Sequence, residues 1–416
     1  MQKIDSFSIF NVVGAVIMPA DQLPSRTILF EKGKETVYRI PSLLYLKEHN
    51  IFLAFAEERM SFQDVDAKLL VMRKGSFIGG SVKWEDMVPL KTAMLPGYRT
   101  MNPCLVYERK RGVIYLFFIC VKDGVTEEQQ IWWGKNWARL CYVLSQDAGH
   151  SWTELTDLTD TVLGSQLCKW ATFAVGPGHG LQTQQGRLIV PAYAYIICRR
   201  CCLIPPKYFT HPHSFYIFSD DSGDNWKLAE PITKYQALEC ELAEITITDS
   251  HHLLYCNART RGHHRMEAVS LDPGHFEIVR LAKGLPESKA GCQGSVASFR
   301  LPNPVTIPFR RSTIRKTDTE VKMSWLLYTH PAGKSCCFFH KRNRTNLGVY
   351  INLMPLKPKG WYGPWIIQAG PSGYSDLVYL DGMGTFACLY ECGISKFWEQ
   401  IAFCLFSISE VLENIF

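Results

Sequence analysis

Apolar residues run through this chain in short bursts of strand length. SLLYL, IFLAFA, GVIYLFFICV, RLIVPAYAYI, SFYIF, HLLYCNA, SWLLYTH, LGVYINL and TFACLY follow one another between residues 42 and 390. Each is rich in β-branched and aromatic side chains and is bounded by Gly, Pro, Asn or Asp, the composition of strands between turns. Long helical periodicity is missing until EQIAFCLFSISEVLENIF at 399–416, which predicts one short helix. The chain therefore reads as mostly β.

A turn recurs between these runs. SQDAGHSW at 145–152 returns as SDDSGDNW at 219–226, each after a strand-like run (RLCYVL, SFYIF). In both, Asp147 or Asp221 accepts hydrogen bonds from turn backbone, Gly149 or Gly223 permits positive φ, and Trp152 or Trp226 is expected in the core of its own hairpin. A worn third copy, SLDPGHF at 270–276, keeps Ser270, Asp272 and Gly274. Repeated turns among many short strands favour a β-propeller over a sandwich.

At 416 residues the chain is long for one ordinary domain, yet no Ser/Pro/Gly-rich linker divides it, so one large repetitive domain and two domains stand as equal readings. The net charge of +6 suits an anionic substrate or an anionic membrane surface, and no dense Lys/Arg run marks a nucleic-acid binder. The 15 cysteines lack the spacing of a secreted disulfide framework and favour a reducing compartment. Cys198, Cys201 and Cys202 in ICRRCCL have no second pair at zinc-like spacing, so no metal is expected; a solvated loop or reversible acylation are the readings. FSIFNVVGAVIM at 7–18 has Asp5 before it and no small-x-small cleavage site after it. Residues 1–30 are accordingly expected to form a loosely attached N-terminal segment, with a single domain over 31–416 and an exposed basic insertion at 302–323. No apolar run approaches the ~20 residues that span a bilayer.

Charged or phenolic residues meet strand-like runs at Arg39 (TVYRIPSLLYL), Glu57 and Arg59 (FLAFAEER), Arg259 (LLYCNART), Arg344 (KRNRTNLGVYINL) and Tyr374 (PSGYSDLVYL). A lone arginine is ordinarily a surface residue. The ordered set is different: YRIP, two Asp-box turns, NAR, an arginine before LGVY and then GYSDL resembles the exo-sialidases from about Tyr38 to Phe406. RTMNPC, VTEEQQ, WATFAVGPGHG, PAYAY, LEC and GCQGS extend the resemblance to the vertebrate sialidases of the cytosolic and plasma-membrane group. FFICVKDGVTEEQQ and SQDAGHSW look most like its plasma-membrane, ganglioside-preferring member.

The resemblance implies an all-β, six-bladed β-propeller with Asp-box turns and a retaining exo-α-sialidase that removes terminal α-linked sialic acid from gangliosides, sialyl-oligosaccharides and glycoproteins. It implies no cofactor and no metal, and peripheral attachment to the plasma membrane, with a cytoplasmic location as the alternative. Sialic acid carries a carboxylate on its anomeric carbon, which planar guanidiniums grip through paired hydrogen bonds. By resemblance Arg39, Arg259 and Arg344 form that grip; three cations so close repel one another, so acidic supports are expected, with Glu57 or Glu391 as the candidates. An anionic nucleophile would be repelled by the same carboxylate, and sialidases use a tyrosine instead. Tyr374 takes that part by resemblance, with Glu239 as its base and Asp64 as acid/base; Asp66 would share a face with Asp64 if the segment were a strand. Arg59 and Asn102 match residues at the N-acetyl group, and Glu127, Tyr193, Tyr195 and Gln293 match residues facing the glycerol side chain or aglycone. Asn343-Arg344-Thr345 is a glycosylation sequon, and a glycan beside a carboxylate-binding arginine would obstruct the site.

Two other readings stay open at this point. A catalytically inactive sialoglycan-binding propeller would keep the arginines but lose Asp64, Glu239 or Tyr374, and all three are present. A glycosidase using two carboxylates would leave the arginine set unexplained.

Overall fold

The computed structural model describes residues 23–199, 204–270, 275–288, 290–301, 323–333 and 343–416. The expected insertion at 302–323 falls outside them except for Met323, as do residues 1–22 and the middle of the third turn copy. The fold is all β, with short helices at Glu127–Trp133 and Ile408–Ile415.

Four sheets are separate, blade-sized units. Val37–Leu46, Ile51–Arg59, Ala67–Ile78 and Ser81–Trp84 make the first; Tyr98–Glu108, Val113–Lys122, Ala138–Ser145 and Thr156–Asp157 the second. Trp170–Val175, Leu188–Ile197, Thr210–Ser219 and Lys227–Leu228 follow, then Cys240–Thr248, His251–Ala258, His264–Ser270 and Ile278–Pro286.

The remaining strands correct the expectation of six blades. They form one continuous seven-stranded sheet from Ser295–Phe299 through Trp325–Pro331, Thr345–Asn352, Trp361–Leu380, Thr385–Cys392 and Gln400–Ser407 to Arg26–Glu31. The cause is the 20-residue strand Trp361–Leu380. Its first part pairs with Thr345–Asn352 and its second with Thr385–Cys392, so no sheet edge interrupts the hydrogen bonding. Arg26–Glu31, from the segment expected to lie loosely, closes the sheet by pairing with Gln400–Ser407. The C-terminal strand and the N-terminal one are thereby locked together.

The repeated turns hold the sheets against one another. Ser145 Oγ donates to Asp147 Oδ1 at 2.8 Å and accepts from Gly149 N at 2.9 Å, while Asp147 accepts from Ser151 N at 2.9 Å. The second copy repeats the pattern, with Gly223 N to Ser219 Oγ and Asn225 N to Asp221 Oδ1 both at 2.8 Å. The tryptophans, expected in their own hairpins, join core clusters that include their own sheets and also pack across to the preceding one. Trp152 meets Phe55 edge-on at 5.7 Å, and Trp226 meets Phe117 at 4.7 Å and Tyr115 at 5.6 Å. The glycines make that approach possible, since a Cβ on Gly149 would lie 2.9 Å from Leu53 and one on Gly223 2.3 Å from the Tyr115 hydroxyl.

Antiparallel pairing explains where a site forms. The start of a sheet's first strand and the end of its second lie at the same edge, as Val37 opposite Arg59 and Cys240 opposite Ala258 show. Inner strands meet around one axis: Val37–Leu46 contacts both Tyr98–Glu108 and Trp361–Leu380. Residues far apart in sequence are gathered at one end.

Candidate active site

Three arginines converge on one tyrosine at that end. Arg259 donates from Nη1 to the Tyr374 hydroxyl at 3.1 Å, and the guanidiniums of Arg39 and Arg344 lie 5.4 and 5.3 Å from its ring centroid. The Tyr374 hydroxyl in turn donates to Glu239 Oε1 in a short hydrogen bond. Glu239 and Arg259 lie side by side where their strands meet: Arg259 N donates to Glu239 O and Leu238 N to Arg259 O, both at 2.8 Å, and the two side chains pair at 2.6 Å. Burial, then the Glu239 charge, pushes the Tyr374 phenol well up, against the opposing pull of Arg259 and Arg344. The phenol is therefore neutral, with a carboxylate placed to take its proton.

Two buried glutamates build the frame by the same device. At Ile40 and Asn102 the chain turns to φ of 61° and 59°, sparsely populated for residues with a Cβ, and the strand register shifts beside each. Glu391 accepts from Ile40 N at 3.0 Å and grips Arg39 with both oxygens at 3.0 and 3.3 Å. Its second oxygen also accepts from Tyr374 N at 3.0 Å. Glu57 accepts from Asn102 N at 2.7 Å and from Arg59 Nε at 2.7 Å. Burial raises Glu57 despite Arg59. Of the two expected supports, Glu391 thus serves Arg39, whereas Glu57 serves Arg59. Arg344 is held more lightly, by Gly291 O at 3.0 Å.

Asp64 stands at the mouth, its side chain 58% exposed. Asp64–Asp66 is a single 3₁₀ turn rather than a strand, so Asp66 does not share its face and instead accepts from Ser61. Arg59 Nη1 reaches Asp64 Oδ1 at 2.6 Å, Arg39 lies 4.0 Å away, and Arg99 fixes the Asp64 carbonyl at 2.9 Å. Partial loss of hydration among the neighbouring groups favours the neutral acid, but Arg59 and Arg39 outweigh that and hold the carboxyl below its usual range.

Glu127 opens the helix Glu127–Trp133, whose N-terminus is closed by a reciprocal box between Thr126 and Gln129. Burial, then the negative charge of Asp64, pushes Glu127 up to about 7. Tyr193 and Tyr195 share a face of Leu188–Ile197 with ring centroids 6.3 Å apart. Tyr195 hydroxyl accepts from Arg261 at 2.9 Å. Gln293 lies beneath the tyrosine and is 2% exposed; both ends of its amide are spent on Ser375, N–H to Oε1 at 3.0 Å and Nε2 to O at 2.9 Å.

Below this floor His179 Nδ1 meets Asp376 Oδ1 at 2.6 Å and Glu241 Oε2 at 3.8 Å, the one set among the described residues spaced like metal ligands. Protein donors already address its carboxylates: Ser295 Oγ and Val296 N reach Glu241 at 2.7 and 2.9 Å, and Leu43 N reaches Asp376 at 2.6 Å. Burial disfavours the imidazolium, but Asp376 and Glu241 lift His179 to about 9. The cluster ties three inner strands across the axis.

Sequence reasoning missed Arg99, Arg261 and Phe397. Phe397 stands 5.2 and 5.4 Å from the guanidiniums of Arg39 and Arg344. It comes from a loop with no strand or motif signal. Arg99 lay within RTMNPC and was readable only as part of that stretch.

The comparisons with known proteins agree with this architecture. The BNR repeat-like domain matches residues 51–387. Sialidase-3 of Homo sapiens is 47% identical over 407 residues, covering 92% of both chains. The chain belongs to the sialidase family. Sialidase-2 of Mus musculus is 40% identical, covering 93% of this chain and 96% of its own, and Sialidase-4 of Mus musculus is 38% identical, covering 96% of each. This sialidase is an enzyme of the glycoside hydrolase type acting on sialic-acid-containing glycoconjugates. Among solved structures, the leech intramolecular trans-sialidase has a TM-score of 0.68 at 16% identity, covering 93% of this chain and 71% of that one. The Ruminococcus gnavus intramolecular trans-sialidase has 0.65 at 15%, covering 93% and 98%. At such identities the likeness shows the shared fold.

Proposed function

We propose that this sialidase is a retaining exo-α-sialidase in which Tyr374 is the nucleophile, Glu239 its base and Asp64 the acid/base. One observation carries the reading: a buried, neutral phenol donates to a carboxylate while three guanidiniums surround it. Arg39, Arg259 and Arg344 take the substrate carboxylate, which sets the anomeric carbon over the Tyr374 oxygen. As that oxygen attacks, its proton passes to Glu239 and Asp64 protonates the departing glycosidic oxygen. Asp64 then takes a proton from water, water attacks the anomeric carbon from the vacated side, and the phenol leaves, recovering its proton from Glu239. Two inversions give net retention.

Asp64 favours its ionised form because Arg59 and Arg39 face it. A bound carboxylate neutralises Arg39 and relieves part of that hold, so substrate binding itself favours the protonated acid. Arg59 and Asn102 suit the N-acetyl region, and Glu127, Tyr193 and Tyr195 the glycerol or aglycone side. Gln293, matched to that side by resemblance, holds the backbone of Ser375 next to Tyr374 instead.

Gangliosides are the proposed preferred substrate and the plasma membrane the proposed location, by peripheral attachment. No helix among the described residues is long and apolar enough to cross a membrane. Of the cysteine cluster, Cys198 is exposed, whereas Cys201 and Cys202 fall outside the described residues. Proton NMR of the first-formed free sialic acid tests the reaction: the α-anomer supports it, and the β-anomer refutes the tyrosine mechanism. Parallel assays on a ganglioside, a sialyl-oligosaccharide and a soluble sialoside test the preference.

A further inference from the structure

The mouth of the site is rimmed by large apolar side chains left in solvent, on several segments, two of which also carry Glu127 and Asp64. On the helix that begins with Glu127, Trp132 and Trp133 are 45% and 51% exposed. Beside them, Tyr208 is 62% exposed and Ile204 is exposed as well. The loop that carries Asp64 exposes Met60 and Phe62, and Phe62 stacks on Trp398 at 4.5 Å. In the neighbouring loop Ile394 is 91% exposed. Phe397 of that loop turns toward the arginines.

Cations accompany these rings. Lys207 Nζ lies 3.4 Å from the Trp132 ring centroid and 4.9 Å from that of Tyr208; Lys135 lies 4.7 Å from Trp137, and Lys396 5.7 Å from Trp398. Tryptophan and tyrosine tipped with lysine is the chemistry that settles at a bilayer interface, where the ring enters the headgroup layer and the ammonium meets anionic lipid. Glu399, the acidic neighbour in the second loop, is occupied by the backbone N–H groups of Ile394, Ser395 and Lys396 at 2.7 to 3.2 Å. It shapes the loop that presents Ile394.

We propose that this rim is a docking face for an anionic phospholipid bilayer. It seats the mouth against the membrane and delivers membrane-borne sialosides to the site. Because Glu127 and Asp64 stand on the docking segments, contact with lipid brings the plane of the headgroups to the acid/base. The delivery role rests on the sialidase reading above; the binding surface does not.

The test is sedimentation of the full chain with vesicles of phosphatidylcholine and phosphatidylserine that contain no sialoglycolipid. The comparison is a W132Q/Y208S/I394S variant, with thermal melting as the control for folding. The wild type should sediment, and the variant should lose roughly tenfold or more in vesicle partitioning. Its turnover of a soluble sialoside should stay unchanged, while turnover of a ganglioside in the same vesicles falls. Undiminished vesicle binding by the folded variant overturns the proposal, as does failure of the wild type to bind while it cleaves the soluble sialoside. A protein partner at this face would give that second result. Normal vesicle binding without turnover of any sialoside would sustain the surface and refute the catalytic reading.

Discussion

Glu239 joins two of the proposed catalytic functions: one oxygen accepts from the Tyr374 hydroxyl, and the other pairs with Arg259 at 2.6 Å. The same carboxylate is therefore both the base for the phenol and the anchor for a carboxylate-binding arginine. Glu239→Gln keeps the shape and removes the base. Turnover should fall by about 10² to 10⁴-fold, the range of a lost general base. The loosened anchor on Arg259 should raise KM as well. A variant with normal kcat in steady-state kinetics would remove Glu239 from the mechanism.

The arginines differ in how firmly they are held, and their lysine variants should differ accordingly. Arg39→Lys breaks the two-pronged pairing with buried Glu391, so both stability and kcat/KM should drop. Arg344→Lys, held by one carbonyl, should leave the melting temperature nearly unchanged. Its kcat/KM should still fall by about 10 to 100-fold, the worth of a charge-assisted hydrogen bond. Equal melting losses for both would contradict the assigned supports.

Glu127 titrates near neutrality because burial and the charge of Asp64 push it up to about 7. Below that value it is neutral; above it a further negative charge faces an anionic substrate. Binding of a competitive sialic-acid analogue should therefore weaken as pH rises between about pH 6 and pH 8. Glu127→Gln, neutral throughout, should flatten that limb. Inhibition constants across the range decide it, and an unchanged slope in the variant would rule out Glu127 as its source.

Trp226 is buried against Tyr115 and Phe117 of the preceding sheet. Trp226→Ala should cost about 3 to 5 kcal/mol, typical for a lost buried aromatic. Trp152, only half-buried, should cost less. Thermal melting measures both, and KM should not move.

The strands, the repeated turns and the converging arginines were legible because each leaves a local mark: alternation, a Ser-x-Asp-x-Gly spacing, a charge at a strand end. The blade division was not. WYGPWIIQAGPSGYSDLVYL carries glycines and prolines that ordinarily end a strand, yet register shifts absorb them and the strand runs on. The reach of Trp152 and Trp226 into the preceding sheet was missed for a related reason, since sequence spacing reports a residue's own hairpin and not the sheet packed beside it. The helix Glu127–Trp133 did leave a signal, Thr126 followed by Gln129, that was not read as a cap. Support of Arg39 by Glu391, 352 positions away, depends on closure of the ring and has no local signature.

The central claim is that the Tyr374 oxygen forms the bond to the anomeric carbon. It is tested most directly by incubating the protein with a fluorinated sialosyl fluoride that slows release of the glycosylated enzyme, then mapping the adduct by peptide mass spectrometry. The account predicts one sialosyl adduct on the peptide carrying Tyr374, absent from Tyr374→Phe. An adduct on Glu239 or Asp64, or one that persists in the phenylalanine variant, would contradict it.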